Sequence, residues 1–156
     1  MDLNPYEFKA DFEVSELGNF ALANSIDILA IPMNWLMPQD EKEANQIRAE
    51  RNRTAGNEAG ASLLPTPAPS QSTISYWLMR LAPLFLAPTA AAPKKIAVAF
   101  ANRSGTEQDT TFAGSSCVCE WQIGGTIQEP IRALGQIWEG VVLRTIRRDV
   151  PVKQPE

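Results

Sequence analysis

Asn24-Ser25-Ile26-Asp27-Ile28-Leu29-Ala30-Ile31-Pro32-Met33-Asn34-Trp35-Leu36 is the stretch that decides the fold class. Residues 26–31 form a short apolar run ended by a proline, which suits a buried strand. Directly before it, residues 13–24 set Val14, Leu17, Phe20, Ala21 and Asn24 at helical spacing. Gly18 weakens that helix by about 1 kcal/mol. A helix that leads at once into a buried strand is the mark of layered α/β packing.

Downstream, strand signals dominate. Residues 96–101 are apolar and read as a central strand, and residues 115–123 and 125–128 read as a hairpin around Gly124-Gly125. Residues 141–146 read as a last strand, and residues 149–156, with Pro151 and Pro155, as a tail. Between the strands, residues 37–75 are first charged and then rich in Thr, Ala, Pro and Ser. Such a segment cannot bury enough apolar surface to offset its ordering entropy, which predicts a low-complexity mobile insert with a short helix over 41–52. Residues 74–86 predict an amphipathic helix limited or kinked by Pro83, followed by a small-residue linker over 87–92.

A chain of 156 residues with net charge −4 is long enough for one core, since chains of this size bury roughly 70% of their unfolded surface. The basic residues are scattered apart from Arg144, Arg147 and Arg148, which leaves no footprint for nucleic acid. The longest apolar run, 76–87, is broken by Arg80 and Pro83 and is too short for a membrane span. Acidic residues at 2, 7, 11 and 13 do not fit a signal or transit peptide, so the expected location is intracellular, in the cytoplasm.

There is no histidine, which excludes His-based triads, and two cysteines do not make a structural zinc set. Gly114-Ser115-Ser116 is therefore an esterase elbow in outline only. Cys117 and Cys119 lie on one face of a strand about 6.5 Å apart, near the outer limit for a bridge. A reduced pair, packed beside Val118 and Trp121 rather than reactive, is the simpler reading.

Three stretches, the opening one among them, fix a family resemblance. Met1-Asp2-Leu3-Asn4-Pro5-Tyr6 resembles the run that directly follows the nucleophilic cysteine of the carbon-nitrogen hydrolase (nitrilase) superfamily. The stretch 23–36 resembles that family's strand ending in Pro-Met-x-Trp-Leu, and 98–116 is similar to its Asn-Arg-x-Gly-x-Glu and Phe-x-Gly-x-Ser signatures. The branch most similar is that of protein N-terminal asparagine/glutamine amidases. The resemblance implies the C-terminal portion of a nitrilase-type four-layer α-β-β-α sandwich, beginning just after the cysteine. It implies hydrolase segments at 1–36 and 76–148, separated by the insert at 37–75 and followed by the tail at 149–156.

In that family a Cys, a Glu and a Lys cleave an amide through a thioester, with a backbone N–H after the Cys holding the oxyanion. By resemblance the oxyanion donor here is the Met1 N–H, while the Cys would precede Met1 and the Glu and Lys lie upstream. The chain alone is thus expected to be inactive. Asp2 is a candidate partner for a substrate α-ammonium, against a reading of Asp-Leu-Asn-Pro as a turn. Asn102, Arg103 and Glu107 follow a central strand, where α/β folds place their sites. The competing reading pairs Arg103 with Glu107 and gives Gly105 a positive φ. Trp35, Trp77, Trp121 and Trp138 read as core or subunit-contact residues.

The resemblance calls for no cofactor and no metal. It implies protein or peptide N-termini as substrates of the full-length form and a role in degradation signalling (the N-degron pathway). Homo-oligomerisation or pairing with a full-length relative is the expectation for subunit partners, and a non-catalytic module built for such pairing is the alternative function.

Overall fold

In a computed structural model, residues 3–54, 68–88, 94–125, 127–136 and 140–142 are described, without the side chains of residue 48, 51–54 and 127–132. Two short 3-10 turns, Tyr6–Phe8 and Phe12–Val14, lead into helix α1, Glu16–Ala23, and strand β1, Ile28–Met33. Helices α2, Gln39–Thr54, α3, Gln71–Met79, and α4, Ala82–Leu86, fill the crossover to strand β2, Lys95–Asn102. A small hairpin, β3 at Thr106–Glu107 and β4 at Thr110–Thr111, precedes β5, Cys117–Gln122, and β6, Ile127–Ala133. The main sheet runs β1-β2-β5-β6, with β1 parallel to β2 and the other pairs antiparallel. The expected central strand is therefore central, and the expected hairpin joins β5 to β6.

One face of this sheet carries the core. Leu29 and Ile31 of β1, Ile96, Val98 and Phe100 of β2, and Cys117, Cys119 and Trp121 of β5 are buried against α1, α3 and α4. Alternation along each strand puts these residues on one side. Trp77 of α3 stacks on Phe100 at 5.3 Å between ring centres, and Phe85 of α4 stacks on Trp121 at 4.9 Å. Trp77 and Trp121 are thus core residues, and Trp35 packs edge-on to Trp77. Trp138 lies outside the described residues.

Several boundaries differ from expectation. The first helix buries Leu17, Gly18 and Ala21 and leaves Val14 and Phe20 exposed, because its inner face is set by α4 rather than by the widest apolar stripe. Gly18 is there for closeness: a Cβ at that position would meet Pro83 Cδ at 2.9 Å and Leu81 Cα at 3.2 Å. Strand β1 runs through Pro32 to Met33, which the missing N–H permits because β1 is an edge strand among the described residues. The helix expected over 74–86 is two, broken at Arg80 and Leu81, with Ser70 capping the first by accepting from the Thr73 N–H at 3.1 Å.

The stretch expected to be a mobile insert is packed at both ends. Glu41 of α2 accepts from the Ser70 and Ser72 hydroxyls at 2.7 and 2.5 Å and from the Gln136 amide, and Gln136 in turn accepts from Asn45 at 2.8 Å. These bonds tie the start of α2 to the start of α3. Residues 55–67 lie outside the described residues, as do 89–93, residues 143–146 of the expected last strand and the tail at 149–156.

Among the described residues, the second face of the sheet is uncovered at its β1 edge. Ile28 is 63% exposed and Ala30 and Pro32 are exposed, and elsewhere Tyr6 and Phe8 are 73% and 78% exposed. An unpaired edge with apolar neighbours favours association. The isolated 1–156 chain is expected to bind a hydrophobic dye and to elute above monomer mass. A compact, dye-free monomer with a cooperative melt would contradict this.

Candidate functional site

Strands β1 and β2 end side by side, with Met33 opposite Asn102. The ladder continues one step further, where the Arg103 N–H donates to the Met33 carbonyl at 3.1 Å. Beyond it the chain diverges, which opens a cleft at the carboxyl ends of a parallel pair. The side chain of Asn102 holds the cleft's floor. Its Oδ1 accepts from the Trp35 N–H at 2.7 Å, and its Nδ2 donates to the Gly114 carbonyl at 2.9 Å and the Trp35 carbonyl at 3.3 Å. Ser116 Oγ completes the clamp, accepting from the Asn102 N–H at 3.0 Å and donating to the Asn102 carbonyl at 2.9 Å. The tight fit extends to Gly114, where φ is +55° and a Cβ would sit 2.1 Å from the Gln136 carbonyl oxygen.

Two adjoining cavities follow. One of about 820 Å³ is lined by Leu3, Asn4, Met33, Trp35, Asn102 and Arg103 among others, and one of about 520 Å³ by Asn102, Arg103, Glu107 and Ser116 among others. Arg103 stands on the boundary of both. Its guanidinium lies 4.7 Å over the Phe112 ring and pairs with Glu107, and its side chain keeps 44% exposure. Gly105, at φ +86°, turns the chain between the paired residues.

The N-terminal stretch reaches the larger cavity because Arg80 holds it there. Arg80 is 1% exposed, and its Nε donates to the Leu3 carbonyl at 2.5 Å while Nη1 donates to the Phe12 carbonyl. Nη2 bonds Glu16 Oε2 at 3.1 Å, and the guanidinium also lies 4.7 Å over the Phe12 ring. Glu16 also accepts from the Tyr6 N–H at 3.0 Å, which, ahead of the Arg80 charge, holds its carboxyl below the usual range. Arg80 and Ser116 were not singled out as site supports from sequence. A lone arginine inside an apolar helical run was the available sign.

Of the expected site residues, Asn102, Arg103 and Glu107 come together. The Asn102 amide hydrogens are both committed to backbone, so it shapes the cavity rather than offering donors to a ligand. Met1 and Asp2 lie outside the described residues. Among the described residues no three His, Cys, Asp or Glu side chains are grouped to hold a metal.

No family model matches the chain. A curated relative, the protein N-terminal amidase of Schizosaccharomyces pombe, is 31% identical over 138 residues, which is 81% of this chain and 39% of that relative's length. A crystal structure of N-terminal amidase with an Asn-Glu-Ala peptide superposes with a TM-score of 0.62 at 20% identity, over 92% of this chain and 57% of that one. Another crystal structure of N-terminal amidase superposes with a TM-score of 0.61 at 19% identity, over 91% of this chain and 57% of that one. The chain is similar to part of the S. pombe N-terminal amidase, spanning about two fifths of its length, and shares the nitrilase-type fold of the solved N-terminal amidases.

In this amidase-like chain the two cysteines sit away from the cleft. Both are buried among the helix-facing residues of β5, and the Cys119 thiol donates to the Val98 carbonyl at 3.7 Å. Burial pushes the Cys117 thiol up to about 12 from 9.0, so it is neutral near pH 7 and a poor nucleophile. Ser115 is likewise buried, donating to the Ala113 carbonyl and accepting from the Ser70 N–H, both at 2.9 Å. No helix of the described residues is long and apolar enough to cross a membrane.

Two outcomes follow for stability. Replacing Arg80 by Ala strands the buried Leu3 carbonyl and leaves Phe12 and Glu16 without their partner, and denaturant unfolding should show a loss of about 3 kcal/mol. Because the Cys117 pKa is higher folded than unfolded, its contribution is complete below pH 9 and is lost as pH rises toward 12. Stability should therefore fall there by up to about 1.4 kcal/mol per pH unit, and Cys117→Ala should remove that slope.

Proposed function

We propose that this chain is the cleft-forming C-terminal part of an enzyme that removes the side-chain amide from N-terminal Asn and Gln residues of proteins and peptides. The observation that carries the reading is the convergence of Leu3 and Asn4 with Met33, Trp35, Asn102 and Arg103 on one cavity at the ends of β1 and β2. That cavity lies within a few residues of the position before Met1, where the resemblance puts the nucleophile.

In this reading a Cys thiolate attacks the amide carbon, and the Met1 N–H stabilises the oxyanion. The C–N bond then breaks, ammonia leaves with a proton supplied through the upstream Lys and Glu pair, and water hydrolyses the thioester to a carboxylic acid. Asp2 supplies the anion for the substrate's α-ammonium, and Arg103 with Glu107 forms the rim. Such an enzyme works in the cytoplasm and exposes degradation signals on its products.

A second reading, a non-catalytic module that pairs with a full-length relative, draws on the open β1 edge and exposed Ile28. Activity separates the two. Residues 1–156 alone should release no ammonia from Asn- or Gln-terminated peptides, whereas the full-length protein, with the segment bearing Cys, Glu and Lys, should. Turnover by 1–156 that is abolished by Cys117→Ser or Cys119→Ser would overturn the assignment of the nucleophile. A full-length protein that never releases ammonia but binds an active relative would favour pairing.

A further inference from the structure

Among the described residues lining the larger cavity, Arg103 is the sole charged one. A cation there does nothing for a substrate α-ammonium, which it repels. It must instead suit an anion on the part of the peptide that leads away from the reacting amide. The guanidinium is also prepared for one. Its plane is set by Phe112, and its ion pair with Glu107 engages Nη2 and Glu107 Oε1 at an exposed site, so that among the described residues most of its five N–H donors are open. An exposed pair of this kind is worth about 0–1 kcal/mol and yields readily to a better-placed carboxylate. Because the fork is held before the ligand arrives, little ordering entropy is lost on binding.

We propose that Arg103 receives a carboxylate carried by the residue that follows the amide-bearing terminus, and that this sets substrate preference. The proposal rests on the amidase reading given above. The carboxylate comes either from an acidic side chain or, in a dipeptide, from the chain end. Glu107 acts as the stand-in that the substrate displaces.

The test compares peptides in the full-length protein, with binding measured in parallel on its nucleophile Cys→Ser form. Asn-Glu-Ala-amide should exceed Asn-Gln-Ala-amide in kcat/KM by roughly three- to tenfold, the range of a charge-assisted contact at a half-exposed site. The ratio should collapse toward one in Arg103→Gln, invert in Arg103→Glu, rise in Glu107→Gln, and shrink at about 0.5 M salt. Asn-Gly as free acid against its amide separates a terminal carboxylate from a side-chain one. Preference for either carboxylate that depends on Arg103 supports the proposal. Equal turnover of charged and neutral members of both pairs, or a preference that survives Arg103→Gln, overturns it while leaving the amidase reading intact. Carboxylate-dependent binding lost in Arg103→Gln, but with no ammonia released from any peptide, supports the anion site and defeats the amidase reading. Absence of both binding and turnover overturns both. Unchanged melting of Glu107→Gln shows that its higher ratio is not a folding effect.

Discussion

The buried guanidinium of Arg80 is the constraint on which the site depends. A buried cation is costly unless its donors are met, so the chain must bring oxygens to it. It does so from three places: the carbonyls of Leu3 and Phe12 and the carboxylate of Glu16. The two 3-10 turns and the start of α1 are thereby wrapped over the end of α3. That demand works with the burial of the Leu3 side chain, 2% exposed, in the hydrophobic cluster to seat it beside the carboxyl ends of β1 and β2, while the residues after it are largely exposed.

A second clamp acts from the opposite side. Asn102 ends the central strand and fastens the loop after β1 to the loop before β5, through Trp35 and Gly114. The two clamps differ in chemistry for a physical reason. Arg80 must satisfy several carbonyls around a buried charge, while Asn102 must both donate to and accept from backbone at one point, which an amide does and a guanidinium cannot. Between them the cavity acquires walls that side-chain motion alone cannot rearrange.

Much of the sheet was legible because its information is local. The apolar run through 96–101 and the turn at Gly124-Gly125 depend on neighbours a few residues away, and they became β2 and the β5-β6 hairpin. What was not legible depends on distant partners. Arg80 reads as an interruption of an apolar run until Leu3, 77 residues away, is known to face it. Gly18 reads as a weakness in α1 until Pro83 is seen against it. The polar start of α2 reads as part of an insert until Ser70, Ser72 and Gln136 are found on Glu41. Of the site, the grouping of Asn102, Arg103 and Glu107 was visible from their spacing after a strand. The commitment of Asn102 to backbone was not, because Trp35 and Gly114 reach it only through tertiary contact.

The layer arrangement explains how a chain matching 57% of a solved amidase can still present an organised cleft. Helices cover one face of the sheet and bury the aromatic stacks of Trp77 on Phe100 and Phe85 on Trp121. That two-layer unit encloses its own core and positions both clamps without help from the other face. The other face ends in small and exposed residues, Ala30 and Ala101 among them, on the strands that lead to the cleft. Small side chains on a sheet face permit close approach of another layer, so rigidity at the strand ends and room for a neighbour are supplied by opposite sides of the same two strands.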